Sequence, residues 1–467
     1  MQSSRIGKET QVKTVTRWGV MTALAALLLG IVPSGRLAVA PAPVAAAQEE
    51  ISGAVTFGFW GDAAEAGAYE SIVAAFEERN PGIDVQIEYV PNATDFYTRL
   101  ATGYAAGLAP DVFLINYRRY GQFAARDALI PVGPLLETSE TLNREDYFPQ
   151  PLEAFQFNGE LMCLPQNLSS LVVYYNRDLF DAAGVAYPAA GWTWDDFLAA
   201  AKALTLDRSG DGLADQHGLG VENSLIRFTP FIWQAGGELV DDLERPTTLT
   251  IDTPEAREGI QFFLDLSLVH KVVPTEAEVL AISDEDRFIN GTTAMLLQSR
   301  RVVPTLRQIE NFTWDVAPLP QYEEAAGILH ADAYCMSATT ENQDAAWTFI
   351  EFANGPEGQG IAARVGRTVP SLKAVAESPV FLGPRGGVAS GTDADRFIPP
   401  ASALVYLDTV PEIRRVPSIS TWPEVEEAFQ NTLGRAFYGE IPVDEAIAIA
   451  TARAEIAFAR AAEEEGR

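Results

Sequence analysis

Histidine and cysteine are scarce in this chain, with three of the first and two of the second in 467 residues. His217, His270 and His330 are far apart, and none falls in HExxH or another zinc spacing. There is no GxSxG elbow and no Walker phosphate loop. Zinc hydrolases, serine hydrolases of that type and nucleotide hydrolases therefore find no support. Carboxylates are so abundant that a glycosidase-type acid pair stays open. Basic residues are the other shortage: 33 Lys and Arg stand against 64 Asp and Glu, a net charge of −31. Such a surface repels nucleic acid and anionic lipid. It also keeps an exported protein soluble, so charge excludes partners without naming one. Cys163 and Cys335 allow one disulfide or two buried thiols, and the sequence leaves both open.

Long apolar runs are confined to the first residues. Arg5, Lys8, Lys13 and Arg17 form a basic flank, Trp18–Val32 is an uncharged stretch of signal-peptide length, and small residues follow up to Ala47. Residues 1–47 are expected to be a secretory signal peptide cleaved after Ala47; an uncleaved anchor is the alternative. Removing them takes off five basic residues and one acidic residue, so −31 becomes −35. No later run reaches about 18 apolar residues, so the mature chain is expected not to enter a membrane.

What remains is long enough for two domains with large cores. Ala54–Trp60 alternates as a strand, Tyr69–Arg79 has helical spacing, and Ile83–Val90 is a second strand. A helix over 95–106 and the buried-type run 111–115 follow, predicting a parallel sheet with helices on its faces. The stretch Leu161–Phe180 opens apolar, breaks at Leu164-Pro165, crosses a polar QNLSS loop and resumes as LVVYY. Strand, proline, strand suits a covalent hinge between two lobes, or one more loop in a single domain. Proline breaks two further joints, WDVAPLP at 314–320 and Val369-Pro370-Ser371. Thr193 is placed to cap a helix over 191–206, Thr253 another over 253–270, and helices are predicted over 302–310, 424–438 and 443–462.

Several local signatures occur in a fixed order: FWGD at 59–62, NPGIDVQIEY at 80–89, APDVFLI at 109–115, GQFAARDALIPV at 121–132, NGELMCLPQN at 158–167 and YYNRDLF at 174–180. GWTWDDFLAAAKALT at 191–205, FIWQAGGEL at 231–239, NGTTAMLLQSRR at 290–301 and AAWTFIEFANGPEGQ at 345–359 continue the series. Together they resemble the family 1 extracellular solute-binding proteins of ABC importers, the maltodextrin-binding type, over residues 52–455. The resemblance implies an α/β fold of two Rossmann-like lobes joined by a three-crossing hinge, the type II periplasmic binding protein fold. Lobe one is then expected at 52–164 and 313–366, and lobe two at 165–312 and 367–467. It implies capture of a sugar or oligosaccharide in the cleft by hinge closure, delivery to membrane permease subunits, and no catalysis. The protein is expected to be a monomer outside the cytoplasmic membrane. A secreted carbohydrate-active enzyme, and a binder of a polyol phosphate or other anionic solute, are the alternatives.

A sugar site needs flat apolar faces for pyranose C–H groups and planar polar groups for hydroxyls. Trp60 and Asp62 end the first strand, and Asn116 and Tyr117 the third, where α/β sheets present ligands. Gln166 and Asn167 follow the hinge proline. By the resemblance, Trp233 is a cleft aromatic, and Tyr334 lies where an aromatic platform is common. Gln298 and Arg300 stand where a G-x-W turn is usual, and the QSR found there suits a charged or differently shaped ligand. Arg367 adjoins the third joint. Trp192, Trp194, Trp314 and Trp347 are assigned to the core.

Asp207, Ser209, Asp211, Leu213 and Asp215 fall at positions 1, 3, 5, 7 and 9 of an EF-hand-like loop, with Gly212 at the sharp turn. Position 12 is Gly218 instead of the bidentate Glu. The loop is a candidate structural calcium site; no cofactor is required.

Overall fold

The computed structural model describes residues 51–383 and 400–466. The expected signal peptide lies outside these residues. Among the described residues no helix is long and apolar enough to cross a membrane.

Strand β1 (Gly53–Trp60) buries Val55, Phe57 and Phe59 at 0 % exposure. It runs parallel to both β2 (Ile83–Val90) and β3 (Val112–Asn116). Gly58 is needed for this packing, because a Cβ there would stand 2.9 Å from the Pro110 ring. Helix α1 (Ala63–Arg79) begins six residues before the predicted Tyr69. The Asp62 carboxylate caps it, accepting from the backbone N–H groups of Ala64 and Glu65 at 2.9 Å each. Helix α2 (Ala93–Ala106) connects β2 to β3, and α3 (Tyr117–Ala124) leaves β3 at once. Two further strands complete this part of the sheet: β4 (Leu129–Ile130) and β5 (Cys163–Pro165).

The chain then passes through β6 (Asn167–Leu168) into a second sheet. This sheet holds β7 (Leu171–Asn176), β8 (His217–Gly220), β9 (Thr293–Ser299) and β10 (Trp314–Ala317), in the order β8–β9–β7–β10. Every residue of β7 and β9 is buried, as continuous apolar runs require of strands covered on both faces. Helix α4 (Leu225–Gln234) follows β8 at one remove. After β10 the chain returns to the first sheet as β11 (Asp332–Ser337), antiparallel to β3. The first sheet thus reads β2–β1–β3–β11–β4, with β5 also paired to β11. Cys163 and Cys335 face each other in that pairing, Cα to Cα 4.4 Å, and form a disulfide. Helix α5 (Pro356–Val365) packs on α1, and β12 (Val369–Pro370) pairs antiparallel with β6. Helix α6 (Trp422–Gln430) packs against α3.

Stretches 166–170, 318–331 and 367–371 lie side by side between the sheets. The Gln166 N–H donates to Asp332 O at 2.9 Å, His330 N–H to Ser169 O at 2.9 Å, and Ser371 N–H to Gln166 O at 3.2 Å. Short backbone contacts therefore tie these stretches to one another and to the start of β11.

Some boundaries differ from expectation. Residues 314–317, expected in lobe one, pair with β7 in the second sheet, because the WDVA run forms its ladder before Pro318 ends it. Residues 373–382, expected in lobe two, pack on α5 beside the first sheet. The predicted helix over 302–310 shrinks to Val303–Leu306, with Gln308 and Ile309 turning back on i→i+3 bonds. The helix predicted over 424–438 splits at Thr432, whose hydroxyl bonds to the carbonyls of Ala428 and Phe429.

Candidate functional site

Because β1 and β3 are parallel, their C-terminal ends open on the same edge of the first sheet. Trp60 and Asn116 stand there, facing residues of the second sheet across a cleft of about 260 Å³. The three joining stretches form the remaining wall. From them Asn167, Ser169, His330, Asp332 and Arg367 line the cavity. Helix α3 adds Arg118, the segment after β8 adds Glu222, α4 adds Ile226 and Arg227, and the end of β9 adds Gln298 and Ser299, with Arg301 just beyond.

Asn116 caps α3 through its side-chain oxygen, which accepts from the Arg118 N–H at 3.2 Å. Its amide nitrogen then donates to Asp332 Oδ1 at 3.1 Å, and Asn167 donates to Asp332 Oδ2 at 3.3 Å. Asn167 in return accepts the Asp332 N–H at 3.1 Å, so the two asparagines hold this carboxylate in the joint. Burial pushes the Asp332 carboxyl above its usual range, with these two hydrogen bonds opposing it. Burial likewise raises Glu65 to about 7, opposed mainly by the Arg367 guanidinium. Arg367 Nε lies 2.9 Å from Glu65 Oε2, an ion-pair distance off the hydrogen-bond direction, and Nη1 pairs with Asp62.

The remaining arginines of the cleft are each paired with a carboxylate. Arg227, only 3 % exposed, donates from Nη2 to Gln298 Oε1 at 2.5 Å and pairs with Glu222 Oε2 at 2.9 Å. Burial would raise the Glu222 carboxyl, but Arg227 and Arg301 hold it below its ordinary value. Arg301 pairs with Glu285, and Arg118 with Glu426 of α6. Arg119 Nη2 reaches the other Glu426 oxygen at 2.8 Å. His330 is pushed well below the usual imidazole range, by burial first and then by Arg227, Arg118 and Arg301.

Of the expected residues, Trp60, Asn116, Asn167, Gln298 and Arg367 line this cleft, and Asp62 touches it through Arg367. The others lie elsewhere. Gln166 is buried in the joint, donating to the Tyr69 hydroxyl at 2.6 Å. Tyr117 is fully buried, its hydroxyl accepting from Val416 N–H at 3.4 Å. Tyr334 is fully buried and stacks on Phe57, ring centroids 5.5 Å apart. Arg300 points into the core, its guanidinium between the rings of Phe381 (4.2 Å) and Tyr406 (4.3 Å), and its neighbour Arg301 turns to the cleft instead. Trp233 is 2 % exposed and lines a different groove of about 450 Å³, with Arg414 4.6 Å from its ring centroid. Its flat face is already covered. Sequence reasoning did not single out Glu65, Arg118, Glu222, Arg227, Arg301, His330 or Asp332. Arg118 and Glu222 sit within two residues of strand ends, a position that could have flagged them; Arg227 carries no such signal.

The acidic loop closes on itself. Asp207 accepts from the N–H groups of Gly210 (2.6 Å) and Gly212 (2.9 Å), and Asp215 from those of Arg208 (2.7 Å) and Ser209 (2.8 Å). Asp211 accepts from the Leu213 N–H at 2.9 Å. Among the described residues no group of three acidic, His or Cys side chains is arranged to hold a metal ion.

A family model described as bacterial extracellular solute-binding protein matches residues 26–360. A Brucella abortus protein named as a binding protein is 23% identical over 393 residues, covering 83% of this chain and 89% of its own. An ABC substrate-binding protein of Listeria monocytogenes, solved in complex with cycloalternan, superposes with a TM-score of 0.75 at 24% identity, over 89% of this chain and 99% of that one. An ABC transporter solute-binding protein of Thermotoga lettingae, bound with α-D-tagatose, gives 0.72 at 21% identity, over 87% and 100%. At these identities the structural likeness speaks for the fold: two α/β lobes joined by three crossings, the type II periplasmic binding protein architecture.

Proposed function

The chain belongs to the bacterial extracellular solute-binding protein family, and from that premise we propose that it captures a small sugar or polyol in the inter-lobe cleft and presents it to the permease of an ABC importer. The observation that carries this reading is a cavity of about 260 Å³ lined jointly by the two sheets and by the segments joining them. A solute there touches both lobes at once, so it binds the closed arrangement better than the open one and shifts the population toward closure. The volume lies below the roughly 300–1,000 Å³ of clefts that take drug-sized ligands, which favours one sugar ring over a long oligosaccharide. Trp60 offers the flat apolar face, and Asn116, Asn167 and Gln298 offer amides for hydroxyl groups. The Thermotoga lettingae relative bound with tagatose supports a monosaccharide-sized solute.

The reading includes export and loss of the leader, a monomeric working form, and closure without chemistry. A thermal-shift screen of hexoses, pentoses, polyols and short oligosaccharides tests it, since a ligand that binds only the folded state raises the melting temperature. A stabilising sugar recovered unchanged after incubation supports it. Turnover of that sugar would refute the non-catalytic reading and favour a carbohydrate-active enzyme.

A further inference from the structure

We propose that the solute carries an anionic oxygen group, a carboxylate or a phosphate ester on a monosaccharide-sized body, and that this group docks between Arg118, Arg227, Arg301 and His330. The inference rests on the cleft being the solute site. It follows from the uneven distribution of charge within that cleft.

Glu65 and Asp332 lie on the side of the first sheet and the joint, with Arg367 between Glu65 and Asp62. Arg227 and Arg301 line the cavity from the second-sheet side, with Arg118 from α3 and His330 from the joint beside them. Arg227, Arg118 and Arg301 act together with burial to lower the His330 imidazole. Each arginine is braced by a carboxylate: Arg118 by Glu426, Arg227 by Glu222 and Arg301 by Glu285. These pairs fix the side chains without using all their donors. Arg227 Nε and Arg118 Nε are covered and have no hydrogen-bond partner, and His330 Nδ1, a donor or an acceptor by tautomer, has none either. The acceptors of Glu222 and Gln298 are already engaged. Glu222 Oε1 receives Gln298 Nε2 at 3.2 Å and Arg301 Nη2 at 3.4 Å, Glu222 Oε2 is paired with Arg227, and Gln298 Oε1 takes both Arg227 and the Ser299 N–H.

Guanidinium nitrogens without a partner therefore remain around the cavity, while the Glu222 and Gln298 acceptors beside them are taken. A sugar hydroxyl offers a guanidinium a single uncharged oxygen, whereas a carboxylate or phosphate matches its planar fork with two oxygens and a negative charge. Trp60 is the one aromatic ring lining the cavity among the described residues, so stacking alone is a thin source of affinity. The net charge of −31 belongs to the surface as a whole; it slows the approach of an anion but does not set the field inside a low-dielectric corner.

The test compares each of several hexoses with its uronate and its phosphate ester on the full protein, with erythritol and inorganic phosphate alongside, by calorimetric titration. An acidic form is expected to bind at least about tenfold tighter than its neutral parent, and this preference should shrink on raising salt to about 0.5 M. Whether uronate or phosphate ester leads identifies the source of the anion. Arg301→Gln, the most exposed of the three arginines, is expected to cut the acid-over-neutral ratio by about tenfold, and Arg301→Lys to restore part of it. A neutral hexose or erythritol binding as well as any acid would overturn this inference while leaving the solute-binding reading intact. Inorganic phosphate binding as tightly as the sugar acids would overturn it too, because the body of the ligand would then contribute nothing. Failure of every sugar, neutral or acidic, would overturn the solute reading itself. If the variant does not fold, the matched pairs on the unaltered protein still decide.

Discussion

Glu65 lies where the cleft, the first helix and the joint meet, and replacing it with Gln should change how stability depends on pH. In the folded protein its carboxyl is raised from 4.5 to about 7, chiefly by burial. A folded-state value above the unfolded one means that the native state holds the proton more tightly. This contribution to stability is complete below about pH 4.5, falls as pH rises, and is gone above about 7. At 1.36 kcal/mol per pH unit the full span corresponds to about 3 kcal/mol. The side chain is 12 % exposed, so solvent screens little of it. With an unfolding entropy of roughly 2 cal/mol/K per residue over about 400 residues, the expected change is about 4 °C in melting temperature. Asp284, raised from 3.8 to about 7 by burial, adds a slope of the same sign, but it is common to both proteins. The melting temperature of Glu65→Gln minus that of the wild type should therefore rise by about 4 °C between pH 4.5 and 8, whatever the offset from losing the Arg367 pair. A difference that stays constant across this range would refute the reasoning.

Three other outcomes follow from single features of the fold. Trp60→Ala should weaken binding of any stabilising sugar by about tenfold with little loss of melting temperature, because the ring is part-exposed at the cleft; titration of the variant reads this directly. Replacing Cys163 and Cys335 together by Ser releases a cross-link between positions 172 residues apart, for which the chain-entropy model gives about 5 kcal/mol and native bridges typically give 2–5. Denaturant titration should show a loss in that range; a loss below about 1 kcal/mol would mean the sheet alone sets the stability. Asp207→Ala should speed hydrogen exchange at the Gly210 and Gly212 amides, which lose their acceptor, and calcium should leave the wild-type melting temperature unchanged. A calcium-dependent rise would show that the loop opens for the ion.

Position after a strand end explains much of what could be read in advance about the cleft. Trp60 ends β1 and Asn116 ends β3, and parallel strands bring those ends to one edge. Arg300 shows where this logic stops. Alternation fixes side-chain direction within β9, but Arg300 starts a turn just past Ser299, and there the backbone dihedrals decide which of two adjacent arginines enters the cavity. Trp233 and Tyr334 illustrate a second limit. An aromatic residue beside glycines, or at the head of a strand, suits a platform and a core equally well, and Phe57 or Arg414 had to be in place before either was excluded. Charge in the cleft was hidden for another reason. Asp332 depends on amides 216 and 165 residues away, and Arg118 on a glutamate 308 residues on.

By itself the sequence determined most of the segments that become strands and helices and where proline interrupts them, while the two-lobe arrangement was implied by the family resemblance and not by these local patterns. The segments and their breaks follow from period, capping and backbone restriction, all of which act over a few residues. Only the tertiary structure decided that Cys163 and Cys335 are bridged, that Arg301 and not Arg300 lines the cleft, and that His330 lines it together with three arginines. Those outcomes depend on which strands become neighbours and which groups lose water together, and no local pattern encodes them.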